Sequence, residues 1–241
     1  MASPDVHEDK ARDRTGLTLR GVRRHVRPGS FPFLLVAIAA LYLLNGLAID
    51  SGVGFLVVQV GRLGVLCAGI YVLSAHRLTL WVGVVMSVLA VTFEAGLWPV
   101  DAHVGRVLED SITVGFFVWI LAVVLREVFR PTTPEREAVI GALCGFMIIL
   151  VVFMRVHGLV EAVFPGSYQA NGPLSSQRSD AALEATFQYF STITATTVGF
   201  GDVVPVAPVA RIVTGLEAIV GQLYLAVVIA TLVGRVVARR E

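Results

Sequence analysis

Six stretches of this chain are apolar over about the length needed to cross a lipid bilayer, and that pattern excludes most folds. They run over Phe31–Ile49, Val53–Leu73, Leu78–Trp98, Ser111–Phe129, Ala138–Val156 and Pro208–Val237. A spanning helix needs roughly 20 mainly apolar residues. Inside lipid, only helices and closed barrels satisfy every backbone N–H and C=O. The chain is 56% hydrophobic and 15% charged, with mean hydropathy +0.78, outside the range of an ordinary soluble domain. The first apolar run begins too late for a secretory signal and no small-residue cleavage site follows, so it reads as a signal-anchor helix. The expected fold is an all-α membrane protein with six transmembrane helices. Cys67 and Cys144 fall inside predicted spans and read as small hydrophobes, not as a disulfide pair.

Orientation follows from the basic residues. With the N-terminus in the cytoplasm and six spans, fourteen of the 19 Lys and Arg residues lie on the cytoplasmic side. Arg62, Arg106, Arg155, Arg178 and Arg211 are left for the spans or the outside. The inverted topology exports the fourteen and is disfavoured. Between the fifth and sixth spans, Gly158–Asp180 is rich in Gly, Pro, Ser and Asn and reads as an extracellular loop. Asp180 is a candidate N-cap for a helix over Ala181–Ala195. Fifteen residues at about 1.5 Å each fall short of a ~30 Å core, so that helix enters and returns. Non-helical backbone survives at that depth only when it is buried in protein or lines water.

After this half-helix comes Thr196-Thr197-Val198-Gly199-Phe200-Gly201-Asp202, then the last apolar segment. The run T-V-G-F-G-D resembles the selectivity filter of the potassium channel family, tetrameric cation channels with one re-entrant pore loop per chain, of the bacterial ion-channel type. The resemblance is specific over Phe187–Val237, modest for the fifth span and absent in detail for the first four. It implies a re-entrant pore helix and a filter between helices five and six. Backbone carbonyls of Thr197, Val198, Gly199 and Phe200 would hold K⁺, and the Thr197 hydroxyl would close the inner end. Carbonyls that all point inward demand an alternating backbone, which explains Gly199 and Gly201 at every second position. One chain supplies one strand of oxygens, so the resemblance implies a homotetramer. Thr196, Asp202 and Tyr189 are filter supports. Phe200 stands where many members have tyrosine, and Ile193 where some bacterial members place a glutamate, so Asp202 needs another partner, Tyr189 or a water.

In the last span Gln222, Leu225, Ala226, Ile229 and Val233 recur at three- and four-residue steps on one helical face. By register with the family that face lines the cavity. Gly221 falls where the family often has a hinge glycine, and close helix packing explains it equally well. Glu217 points away from the cavity face, toward the pore helix or a neighbouring subunit. The helix C-terminus near Thr194–Ala195 directs its negative end at the cavity.

The first four spans match a voltage-sensor domain in number only. The fourth has only Arg126 near its inner end, with Arg130 beyond, not the ladder that such a sensor needs. Arg62 falls near mid-membrane, and an Arg62–Glu94 pair would offset the penalty of burying either charge. His7, His25, His76, His103 and His157 show no metal-ligand spacing and read as solvated or interfacial. Leu17–Arg27 reads as a basic anchor on anionic lipid. The few residues after the last span leave no room for a ligand-binding domain.

The domain reading is a cytoplasmic N-terminal tail over 1–30, a four-helix transmembrane domain over 31–130 and a pore domain over 138–241. The function expected is that of a potassium-selective channel in the cell membrane, prokaryotic, not voltage-gated, with both termini cytoplasmic. It is not an enzyme, needs no cofactor beyond K⁺ as permeant ion, and binds no nucleic acid. Alternatives are a weakly selective cation channel, a potassium transporter, and a non-conducting scaffold or sensor with a vestigial pore. The transporters related in filter design carry four repeats in one chain, whereas this chain carries one.

Overall fold

The computed structural model describes residues 29–47, 64–72, 77–94, 97–131, 133–170 and 180–238. Seven helices appear among them. They are α1 (Phe31–Leu47), α2 (64–72), α3 (Arg77–Glu94), α4 (Ala102–Val128), α5 (Glu135–Val163), α6 (Asp180–Ala195) and α7 (Pro208–Ala238). Prolines punctuate them. Pro134 caps α5 with extended backbone (φ −56°, ψ 143°), and Pro208 opens α7, where its missing N–H is no loss. Glu135 and Glu137 in the first turn of α5 complement its positive end. The short link from α4 to α5 is closed by Thr133, whose hydroxyl donates to the Glu127 carbonyl at 2.8 Å.

Three helical stretches are long and apolar enough to cross a membrane: His103–Val128, Glu135–Val163 and Pro208–Leu232. The chain is a membrane protein on that ground. Phe31–Leu44 and Leu80–Phe93 are apolar but shorter. The fourth expected span starts nine residues early, at Ala102 rather than Ser111, and the fifth runs on from Val156 to Val163. Polar side chains that looked like loop in sequence are paired inside these extensions, as described below. The second expected span falls largely outside the described residues, as do Arg62, the side chain of Glu94 and the basic segment Leu17–Arg27.

α5 is the hub, packed against α1, α4, α6 and α7, while α3 leans on α4. The core joins Phe31, Leu34 and Ile38 of α1, Phe116 and Ile120 of α4, Ile148 of α5 and Phe187 of α6, all almost fully buried. The all-α expectation needs one small correction. Tyr168–Gln169 (β1) pairs antiparallel with Val204–Pro205 (β2), with Tyr168 opposite Pro205. This two-residue clasp ties the loop after α5 to the segment before α7, so the two ends of the stretch between those helices are held together. Extended β1 and β2 also let Ser167 accept from the Val206 amide at 2.8 Å, which satisfies backbone that no helix serves.

Candidate pore loop

α6 stops at Ala195 because the backbone turns left-handed at Thr197. From there φ alternates: Thr197 lies at +61°, Gly199 at +53° and Gly201 at +79°, with Val198 and Phe200 between them in ordinary conformations. Alternation of this kind turns successive carbonyls to one side of a strand and successive amides to the other. The amides go back to the helix. Thr197 N–H donates to Thr194 O at 3.0 Å, and both Val198 and Gly199 donate to Ile193 O, at 2.8 and 3.1 Å. Thr196 adds a side-chain bond to Thr192 O at 2.6 Å. The α6 C-terminus, whose last carbonyls have no helical partner, is thereby satisfied by the strand that follows it.

The other end of the strand is held by Asp202. Its carboxylate accepts from the Tyr189 hydroxyl at 2.7 Å and from the Val203 amide at 3.1 Å. The Tyr189 and Phe200 rings lie parallel, 4° apart in tilt with centroids at 6.5 Å. The bond to Asp202 raises the Tyr189 phenol above its ordinary pKa, so it remains a donor. Residues 196–202 are exposed along their whole length in the single chain, with Phe200 71% accessible.

α7 meets α6 twice, one helical turn apart. The Gly221 α-carbon lies so close to the end of α6 that a Cβ there would stand 2.6 Å from Ala195 O. One turn earlier Glu217 accepts a hydrogen bond from Ser191. Of the two explanations for Gly221, close packing is the one with a visible contact. The α7 face turned to its own chain is Ala210, Glu217, Gly221, Tyr224 and Val228. Tyr224 reaches Ala142 O on α5 at 2.6 Å, beside Gly145, which leaves room for its hydroxyl. Gln222, Ala226 and Ile229 are exposed and Leu225 is half-buried, on a different side of the helix. The side chain of Val233 lies outside the described residues.

Two buried polar clusters go beyond the expected contact of Glu217 with α6, which Ser191 makes. His157, expected to be solvated or interfacial, is fully buried, with Nε2 2.7 Å from Glu217 Oε2 and Nδ1 2.6 Å from the Tyr168 hydroxyl. Burial, with Glu217 and Glu161 nearby, pushes the Tyr168 phenol above the usual tyrosine range, so it keeps its proton. Glu161 in turn accepts from the Gly166 and Tyr168 amides at 2.8 and 3.1 Å. The second cluster is Arg155, which pairs with Asp110 of α4 at 3.1 Å and Glu184 of α6 at 2.6 Å. The signal for both lay in single polar residues inside apolar helices, which lipid does not tolerate without partners. Sequence alone does not say which partners they have.

α1 touches the same half-helix. Gln188 Nε2 donates to Tyr42 O at 2.8 Å, and the Tyr42 and Thr192 hydroxyls are hydrogen-bonded. Among the described residues no three His, Cys, Asp or Glu side chains gather as metal ligands.

Residues 183–238 match the model of a family described as "Ion channel". No curated protein and no solved structure matches the chain. The matched stretch takes in most of α6, the 196–202 strand and α7. With the three membrane-length helices, the match makes the C-terminal quarter of this membrane protein similar to an ion-channel domain.

Proposed function

We propose that the protein is a potassium-selective channel that works as a homotetramer around the 196–202 strand. The observation that carries the proposal is the alternation of φ at Thr197, Gly199 and Gly201. A strand of that kind offers a row of carbonyl oxygens on one side and, in a closed ring of four, replaces the hydration shell of a cation. Neutral carbonyls do so without a full charge that would trap the ion. K⁺ would sit among the oxygens of Thr197, Val198, Gly199 and Phe200, and the α6 C-terminus would favour it in the cavity below. Gln222, Leu225, Ala226, Ile229 and Val233 would line that cavity.

The bareness of α7 supports assembly: only 17% of its apolar window is buried, against 61% for α5. The domains proposed are the 31–130 helical unit and the 138–241 pore unit, with both termini cytoplasmic, so that Arg126, Arg130 and Arg136 face the cytoplasm. α4 carries Arg106 and Arg126 with no ladder between them, so opening should respond weakly to voltage.

Purified protein in liposomes should pass K⁺ and Rb⁺ and largely exclude Na⁺. Gly199→Ala should abolish the flux, because a Cβ at φ +53° is strained by about 1–2 kcal/mol and turns its carbonyl off the row. Flux of Na⁺ as fast as K⁺ would favour the weakly selective alternative. No flux would favour the scaffold. Full flux through Gly199→Ala would remove the filter assignment.

A further inference from the structure

Between α4, α5 and α7 runs a groove whose lining presents no polar atom, since Tyr224 gives its hydroxyl to Ala142 O. Its α4 wall is Leu121, Leu125 and Phe129, a row at four-residue steps along one side of the helix. At about 1.5 Å per residue that row is ~12 Å long. Leu223 and Val227 of α7 form the facing wall, and buried Ile149 of α5 closes the floor. Phe129, Leu223 and Val227 are 39%, 59% and 51% exposed, so the groove opens sideways. The three helices that build it are the three of membrane length, so it opens toward hydrocarbon.

One charge stands at its mouth. Arg126 lies in the last turn of α4, three residues before Phe129 and next to it on the helix surface. It is exposed, and no hydrogen bond or ion pair engages it among the described residues. Arg130, by contrast, pairs with Glu127 at 3.5 Å. The membrane-length stretch of α4 ends at Val128, which puts Arg126 where a long basic side chain reaches headgroup level. A free cation at that level, with an apolar slot running inward from it, matches the two parts of a phospholipid.

We propose that this groove binds one anionic phospholipid from the leaflet that the α4 C-terminus meets. One acyl chain lies along Leu121, Leu125 and Phe129 against α7, and the phosphate pairs with Arg126. Size and charge both favour a chain over a helix of a second copy. The groove encloses about 340 Å³. One helical turn with its side chains, a cylinder of ~5.4 Å pitch and ~10–12 Å diameter, fills roughly 420–610 Å³. The single carboxylate of α7, Glu217, is buried by its own chain, so a second α7 brings no anion to Arg126. An acyl chain that enters the groove leaves one hydrocarbon medium for another and gains little by the move. Arg126 therefore sets the preference among lipids. One basic residue near an anionic headgroup is worth about fivefold in affinity, and a choline on the same headgroup cancels much of that. The site needs only the groove and Arg126, and is independent of ion conduction.

The test titrates the full-length protein in detergent with phosphatidylglycerol or phosphatidylcholine and counts bound lipid by mass spectrometry of the intact protein. Wild type should saturate at one phosphatidylglycerol per subunit and bind it about fivefold more tightly than phosphatidylcholine. Arg126→Gln, at an exposed and unpaired position, should fold normally and erase that preference. Leu223→Trp fills the groove from its exposed wall and should weaken both lipids several-fold. Arg77→Gln removes an exposed cation from the start of α3, which packs on α4 and takes no part in the groove, and should bind as wild type does. Equal affinity of wild type for the two lipids would overturn the proposal. So would an equal loss in Arg77→Gln and Arg126→Gln, which would mean attraction to surface charge at large. Binding undiminished by Leu223→Trp would remove the groove as the site. If wild type takes up no lipid and Leu223→Trp splits the assembly in the same detergent, the groove belongs to a second copy and the lipid site falls.

Discussion

Gly221 owes its place to a neighbour rather than to its own flexibility. With Ala195 O 2.6 Å from where a Cβ would stand, backbone rather than a yielding side chain blocks the space. Gly221→Ala should therefore move the end of α6 and disturb the strand beyond it. We expect a loss of flux with a loss of thermal stability of about 1–3 kcal/mol, the usual range for overpacking. A variant of unchanged stability with reduced opening alone would return Gly221 to the role of hinge. At this scale the sequence was legible where backbone chemistry dictates residue type. Gly199 and Gly201 could be read because φ > 0 selects glycine. Thr197, in the same region at φ +61°, could be placed only through the resemblance. The Tyr189–Asp202 bond was readable as one of two options. His157 was not, because a histidine in an apolar helix carries no mark of the carboxylate sixty residues away.

Among the elements, α5 was legible as a span but not in its length, because the stretch after Val156 reads as loop by composition. In the fold the helix runs on to Val163, and two carboxylates from α4 and α6 hold Arg155 inside the protein. The same pairing carries α4 past its expected start to take in Asp110. Arg155→Met would leave Asp110 and Glu184 without the cation between them. It should destabilise the protein by about 3–5 kcal/mol. Adding Asp110→Asn and Glu184→Gln should restore much of the loss, since a buried ion cluster often contributes little net stability over neutral packing. Denaturation of the single and triple variants in detergent checks this, and a triple variant as unstable as the single one would show that the charges themselves are needed. Helix boundaries are set by such partners, and partners belong to the fold.

For the whole molecule, the unpaired surface of α7 is the largest unresolved demand. It presents one side to its own chain and two others outward. On one of these, Leu223 and Val227 line an apolar groove with Leu121 and Leu125 of α4 and Val152 of α5. On the other stand Gln222, Ala226 and Ile229. With Cys67 and Cys144 removed, cysteines at Leu225 and Ile229 should react with a water-borne thiol reagent from the cytoplasm, and cysteines at Leu223 and Val227 should not. Labelling of the second pair alone would rotate the cavity face onto the groove side. Of the six expected spans, three are met by helices of membrane length among the described residues, and Phe31–Leu44 and Leu80–Phe93 are apolar but shorter there.

The exposed strand at 196–202 has a genetic consequence. If one chain contributes a quarter of the oxygens around each ion, a defective copy damages rings that it shares with sound ones. In a cell making equal amounts of intact and Gly199→Ala chains, only about one ring in sixteen would contain four intact strands. The defect would behave as dominant, and measured flux would fall far below half.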